Sequence, residues 1–269
     1  PTYNIGLYQR FDRRLSLARA REMSEKWSKL LDVRLSPQRL GYLANRSCLL
    51  EAMMKGRLAT AVETIVLRSL VCSAPKRDEV SILEIGTLFG VGAAAVYEAA
   101  RNGHESVHLT VIDPLDGYYA TGKMDLLTGA EINEQTLREN FRLAPVPEED
   151  YRVIRRLSTD DEAFAEASAR SYDVLIIDGD HSYEGVKYDF DRYGPLVREG
   201  GYILFDDYDV EDWPDIKRYV DLEVLPRQDV EFVGADYRTA VFRMKPGASA
   251  PAVDVIEHEA NTGGHEQGN

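Results

Sequence analysis

Two stretches of the chain concentrate acidic chemistry. The first is Ile176-Ile177-Asp178-Gly179-Asp180-His181-Ser182-Tyr183; the second is Gly200-Gly201-Tyr202-Ile203-Leu204-Phe205-Asp206-Asp207. Each runs from a short apolar segment into carboxylates, the pattern of a buried strand ending at a ligand-binding edge. Three carboxylates brought to one sheet edge, Asp178, Asp206 and Asp207, repel one another in a partly buried site. A hard divalent cation with oxygen ligands relieves that repulsion. Mg²⁺ suits it best, because it keeps waters that a substrate oxygen can displace; Mn²⁺ accepts the same donors. Asp180 and His181 stand beside the cluster as candidate general bases.

A second constellation lies upstream, Glu84-Ile85-Gly86-Thr87-Leu88-Phe89-Gly90-Val91-Gly92. Glycines between a strand and a helix let the backbone come close to a ligand. The spacing G-x-x-x-G-x-G differs from the dinucleotide pattern G-x-G-x-x-G, so a group smaller than a pyrophosphate is expected here. Asp113 closes the next apolar run, about 20 residues further on, where an acidic side chain takes the ribose hydroxyls of a nucleoside.

These residues need a scaffold, and the hydrophobic pattern supplies one. Short strands are expected at 80–85, 107–112, 151–154, 172–177 and 201–205. Helical patterns fall between them, at 92–101, 131–142, 159–169 and 183–193, with another at 212–221. Alternation of this kind predicts an α/β fold with a doubly wound, mostly parallel sheet. Such sheets bind ligands beyond the carboxyl ends of their strands, where the carboxylates and glycines lie. Two further strands, 230–233 and 239–244, leave no room for a crossover helix and should pair as an antiparallel hairpin. Three helices precede the first strand, at 11–32, 38–54 and 57–73. The division is therefore an N-terminal helical cap over 1–75, a ligand-binding domain over 76–246 and an acidic tail over 247–269.

The chain has 269 residues and a formal charge of −14, with 44% hydrophobic and 29% charged residues. That composition excludes wholesale disorder and any general affinity for nucleic acid or anionic membrane. No apolar run is long enough to span a bilayer, and the N-terminus reads without the apolar core of a signal peptide. Two cysteines, Cys48 and Cys72, are too few for a disulfide framework, so a cytoplasmic location is the expectation. Arg13, Arg14, Arg19 and Arg21 form a local basic cluster, a solvated helix face or a phosphate contact.

The glycine motif, Asp113 and the two acidic stretches together resemble a class I S-adenosylmethionine-dependent methyltransferase. The chain is similar to the metal-dependent O-methyltransferases that act on sugars of macrolide and aminocoumarin antibiotics, over about 80–245. Catechol O-methyltransferases are more distant relatives. The resemblance implies a seven-stranded sheet of order 3-2-1-4-5-7-6 with the last strand antiparallel. It implies S-adenosylmethionine as cofactor, with Glu84, Gly86 and Gly90 around the methionine, Asp113 on the ribose and Ser158 near the adenine. Asp178, which also borders the cofactor, would bind Mg²⁺ with Asp206 and Asp207, and Asp180 matches the family's proposed base. Two departures stand out. Gly92 replaces a serine that contacts the methionine carboxylate in catechol enzymes, and His181 stands where they use a lysine base.

The acceptor expected from this resemblance is a small, sugar-like polyol. The segment 114–130, with Asp116, Tyr118, Tyr119 and Gly122, reads as a lid that could stack on a sugar, and Trp213 is a second stacking candidate. The N-terminal helices are a candidate surface for a homo-oligomer. Two other readings of the sequence stand beside this one: an NAD-dependent oxidoreductase on a related sheet, and a catalytically silent partner protein.

Overall fold

In the computed structural model, residues 13–117 and 122–247 are described. Strands β1 (Glu79–Ile85), β2 (Ser106–Ile112), β3 (Tyr151–Ile154), β4 (Tyr172–Ile177), β5 (Val197–Phe205), β6 (Val230–Asp236) and β7 (Thr239–Met244) form one seven-stranded sheet. Its order is β3-β2-β1-β4-β5-β7-β6, as expected. Strands β1 to β5 are parallel, and β7 runs antiparallel to both β5 and β6. Every residue of β4 and all but the first of β1 are buried, because helices cover both faces.

Eight α-helices accompany the sheet among the described residues: α1 (Leu17–Leu30), α2 (Pro37–Met53), α3 (Val62–Cys72), α4 (Val91–Arg101), α5 (Glu134–Leu143), α6 (Asp161–Ala167), α7 (Tyr183–Tyr193) and α8 (Pro214–Tyr219). The strand alternation sorts the core into two layers. Ile82, Ile176 and Leu204 face one cluster with Trp27, Leu40, Ile65, Ala94 and Phe141. Leu83, Leu175 and Ile203 face the other with Phe190, Tyr193 and Tyr219. Helices α1 to α3 thus share one continuous apolar layer with α4 and the sheet. At the far edge, the Trp27 indole donates to Asp236 of the β6–β7 hairpin at 2.8 Å, and Arg19 ion-pairs with the same carboxylate.

The structure departs from the sequence pattern in two informative places. Strand β5 starts at Val197 and runs through Gly200 and Gly201. Gly200 has φ +75° and the pairing with β4 shifts register between Tyr172 and Val174, so the glycine pair is absorbed as an irregularity inside the strand. Helix α3 starts at Val62, not at 57. Arg13 donates to the carbonyls of Leu58 (2.5 Å) and Thr60 (2.7 Å), and Leu58 N–H donates to Glu51 at 2.8 Å. Backbone groups spent on side chains cannot join a helix ladder, so residues 57–61 stay outside the helix. Two members of the basic cluster, Arg13 and Arg19, therefore have structural partners.

Tyr118 and Tyr119 lie outside the described residues, as does the tail from 248 onward. No described helix is long and apolar enough to cross a membrane.

Candidate active site

The carboxyl ends of β1 to β5 open into a cavity of about 700 Å³. Its lining follows the sheet order. Ser158 comes from beyond β3, Asp113 from β2, Glu84 and Gly86 from β1, Asp178, Asp180 and His181 from β4, and Asp207 from β5. Gly86 has φ +82°, and a Cβ there would overlap the carbonyl oxygen of Asp178. Only glycine lets the ends of β1 and β4 approach this closely. Gly90, by contrast, is outside the lining. It caps α4 with φ +74°, and a Cβ would meet the Phe141 ring at 2.7 Å, so it serves turn and packing while Gly92 faces the cavity.

The β1–β2 side is organised by backbone donors. Asp113 Oδ2 accepts from Thr87 N–H and Leu88 N–H at 2.8 Å each, and Oδ1 accepts from Leu115 N–H at 2.8 Å. Burial raises the Asp113 carboxyl from its ordinary value against the pull of these N–H groups. Two carboxylate oxygens offer about four acceptor sites, so capacity remains for a ligand hydroxyl. Glu84 is 1% exposed, and burial pushes its carboxyl up to about 7 despite the nearby Arg68 guanidinium. The Ser158 carbonyl accepts from Tyr193 at 2.7 Å, which fixes the backbone at the β3 end.

The β4–β5 side is organised by guanidinium groups. Arg68, 2% exposed, reaches up from α3 and places Nη2 at 2.6 Å from both Asp178 and Asp206, with Nη1 at 3.4 Å from Glu84. Arg238, from the β6–β7 turn, pairs with Asp207 at 2.5 Å. The repulsion inferred from sequence is thus largely met by the chain itself. Burial opposes the charge on Asp178, yet Arg68 and His181 hold its carboxyl below the usual range. Burial raises Asp206 and Asp207, Arg68 opposing it at the first, His181 and Arg238 at the second. Asp207 also sits at φ +54°, a strained conformation for a non-glycine residue.

Asp178 and Asp207 face the cavity, whereas Asp206 is withdrawn: it accepts from Thr239 at 3.0 Å and pairs with Arg68, outside the lining. Among the described residues no group of three His, Cys, Asp or Glu is placed to hold a metal ion. Two carboxylates do remain on the cavity wall. Mg²⁺ is commonly held through one or two carboxylates, with water and substrate oxygens completing its shell, so this donor set fits that ion.

His181, 8% exposed, lies between these two carboxylates, 3.5 Å from Asp178 and 3.8 Å from Asp207. Burial works against its charged form, but Asp178, Asp207 and Asp206 outweigh it and raise the imidazole. Its ring meets Trp213 edge-on at 4.6 Å, so Trp213 packs against the histidine and is not part of the cavity lining. Asp180 lines the cavity but is exposed and bound into the start of α7, accepting from Ser182 N–H at 2.9 Å. A Cβ at Gly185 would collide with it.

Arg57, Thr60, Arg68 and Arg238 were not singled out by the sequence patterns. Arg68 did carry a signal, being a lone cation in the apolar run Val62-Glu63-Thr64-Ile65-Val66-Leu67-Arg68-Ser69-Leu70-Val71-Cys72. A guanidinium on a fully buried face needs acidic partners.

The sheet order and its surrounding helices are those of the Rossmann-like methyltransferase fold. Residues 83–208 match the family described as a methyltransferase domain. Among curated relatives, the uncharacterized protein R132 of Acanthamoeba polyphaga mimivirus is 31% identical over 140 residues, 51% of this chain and 56% of R132. The uncharacterized protein y4gI of Sinorhizobium fredii is 27% identical over 131 residues, 49% of this chain and 13% of that protein. Among solved structures, the O-methyltransferase NovP aligns with a TM-score of 0.54 at 20% identity, covering 70% of this chain and 82% of NovP. Cofactor-bound Rv0187 from MTB aligns at 0.51 and 16% identity, covering 86% of this chain and 99% of that one.

Proposed function

We propose that the chain transfers a methyl group from S-adenosylmethionine to a hydroxyl of a sugar or other small polyhydroxylated molecule, with Mg²⁺ as helper ion. The observation that carries this is the order of the cavity wall. From β3 to β5 it presents an adenine-side loop, a ribose-type carboxylate, a buried carboxyl for an ammonium, and then a carboxylate and histidine cluster. Four strand spacings of about 4.8 Å give a span of about 19 Å, room for an extended nucleoside with an acceptor beyond it.

In this reading Asp113 accepts the ribose hydroxyls, Glu84 accepts the methionine ammonium and Ser158 borders the adenine. The acceptor hydroxyl lies between Asp178, Asp207 and His181. As it attacks the sulfonium methyl carbon, the new C–O bond forms and the C–S bond breaks. Its proton passes to the His181 imidazole in its neutral form, and S-adenosylhomocysteine leaves. His181 is better placed for this than Asp180, whose carboxylate is engaged at the start of α7. Positioning of donor and acceptor in line supplies much of the rate. Bound Mg²⁺, for which Asp178 and Asp207 are the facing ligands, would acidify and orient the hydroxyl.

The test incubates the chain with methyl-labelled S-adenosylmethionine and a panel of sugars, glycosides and catechols, with Mg²⁺ or with chelator. Label on a hydroxyl oxygen of a polyol, lost in chelator and restored by metal, supports the proposal. Calorimetric binding of NAD in place of S-adenosylhomocysteine would replace it with the oxidoreductase reading. Undiminished turnover in verified metal-free buffer would remove Mg²⁺ from it.

A further inference from the structure

Helix α7 buries Val186, Asp189, Phe190 and Tyr193, the i, i+3, i+4, i+7 row of an inward face. Three of the four suit a packed core. The fourth, Asp189, is 1% exposed, and neither of its carboxyl oxygens has a hydrogen-bond partner among the described residues. Burial pushes this carboxyl above its ordinary value; the Ser158 side chain draws it back, and the charge of Asp180 adds to the rise. A buried polar group without a partner costs stability that an apolar residue of like volume would not. A position that breaks this rule is where function is expected.

The place of Asp189 in the fold supplies a task. The residue lies behind the cavity wall, between two loops. A Cβ at Gly179 would come within 3.1 Å of Asp189 Oδ2, so the carboxyl abuts the back of the loop after β4. Ser158 belongs to the loop after β3. Gly179 and Ser158 line the cavity, whereas Asp189 does not. Tyr193, one turn further along α7, donates to the Ser158 carbonyl at 2.7 Å. One helix face thus addresses both the backbone and the side chain of Ser158. A serine hydroxyl has a single hydrogen to donate. Aimed at the carboxyl behind the wall, it leaves its lone pairs towards the cavity, where it can accept but not donate.

We infer that Asp189 is a positioning residue that turns the Ser158 hydroxyl into the wall, so that Ser158 offers the cofactor's base an acceptor and selects an amino over a carbonyl group there. This rests on the reading of the cavity as an S-adenosylmethionine site with the base beside Ser158.

The experiment measures calorimetric affinity for S-adenosylhomocysteine and for S-inosylhomocysteine, in which a carbonyl oxygen replaces the amino group of the base. Ribose and amino-acid ends are identical, so the ratio of affinities cancels the contributions of Asp113 and Glu84. The unaltered chain should prefer the amino-bearing ligand by about 10- to 100-fold, since the carbonyl loses a hydrogen bond and sets two acceptors against each other. Asp189→Leu should cut that preference several-fold and leave Tm no lower, because the carboxyl it removes has no partner. Asp189→Asn keeps an acceptor oxygen and should retain most of the preference. Ser158→Ala should lose the preference as Asp189→Leu does. The double variant should lose no more than Ser158→Ala alone, the non-additivity of a residue that acts through another. Additive losses in the double variant, or an undiminished preference in Asp189→Leu, would overturn the inference. So would a lower Tm in Asp189→Leu with both ligands weakened alike, the mark of a merely structural role. Equal affinity of the unaltered chain for the two ligands would overturn it and leave the nucleoside site standing. Binding of neither would bring down the proposed function as well.

Discussion

The two halves of the cavity solve the burial of charge in opposite ways. On the β1–β2 side, Asp113 is satisfied by three backbone N–H groups, and glycines shape the turn. Everything there comes from neighbouring residues in one strand–turn–helix unit and the strand beside it. On the β4–β5 side, Asp178, Asp206 and Asp207 are balanced by Arg68 and Arg238, which arrive from a different helix and a distant hairpin. Backbone dipoles hold a ligand-facing carboxylate in a fixed place without a counter-charge. Guanidinium groups neutralise a cluster and can share it with an incoming ligand. In the proposed reaction the first design would serve a nucleoside that always docks the same way, and the second a centre where a proton and a hydroxyl move.

The largest effect should come from the second half. His181→Ala should lower kcat by roughly 10²–10⁴, the usual contribution of a positioned base, with S-adenosylhomocysteine affinity nearly unchanged. Asp180→Asn should cost far less. Steady-state kinetics showing the reverse pattern would move the base to Asp180.

Next comes Arg68→Met, which leaves the buried Glu84 and Asp206 and the cavity-facing Asp178 without their shared cation. Removing one partner of a buried ion pair costs about 3–5 kcal/mol. For a chain of this size that lowers Tm by roughly 10 °C, measurable by scanning calorimetry. Adding Asp206→Asn should recover part of the loss. An unchanged Tm in Arg68→Met would erase the contrast between the two halves.

Asp113→Ala should weaken S-adenosylhomocysteine binding by about 1.5–3 kcal/mol, the range for hydrogen bonds to a charged group. Because three N–H groups also lose their acceptor, Tm should fall as well. Affinity unaltered by titration would sink the ribose assignment.

The smallest effect is a pH dependence at Glu84. In the unliganded chain this carboxyl is pushed up to about 7, and only its ionised form accepts the ammonium. S-adenosylhomocysteine affinity should therefore fall as pH drops below 7, by at most roughly tenfold per unit, one proton being displaced on binding. 5′-Methylthioadenosine, which lacks the amino-acid end, should show no such slope. Stability carries the opposite sign. A carboxyl raised above its unfolded value favours the folded chain at low pH, and that advantage is lost as pH rises from about 4.5 through about 7.

Much of the backbone half was legible in the sequence. The apolar runs set seven strands, and the glycine motif and Asp113 fell where the sheet order makes them meet. What escaped was long-range. Arg68 and Asp178 are 110 positions apart, and Arg238 and Asp207 are 31 apart, so no local window pairs them. Reading Asp178, Asp206 and Asp207 as an uncompensated triad followed from seeing only one sign of the charge. The helical pattern over 57–73 was carried too far because residues 57–61 repeat good helix formers, while the groups that hold them back, Arg13 and Glu51, belong to other elements. Gly90, read as a cofactor glycine, stands outside the cavity lining with the Phe141 ring against it, a long-range contact that no local window shows.

Helix α3 touches both halves. It begins where Leu58, Ala59 and Thr60 line the cavity and carries Arg68 about six residues further on, a stiff run of about 9 Å. A donor seated in the cavity and an acceptor beside Asp178 would therefore both lean on this one helix. In kinetic language, the expected consequence is an order of addition. The methyl donor would enter first and complete the acceptor's pocket, and the spent donor would leave last. S-Adenosylhomocysteine should then compete with the donor for the free protein, but not with the acceptor.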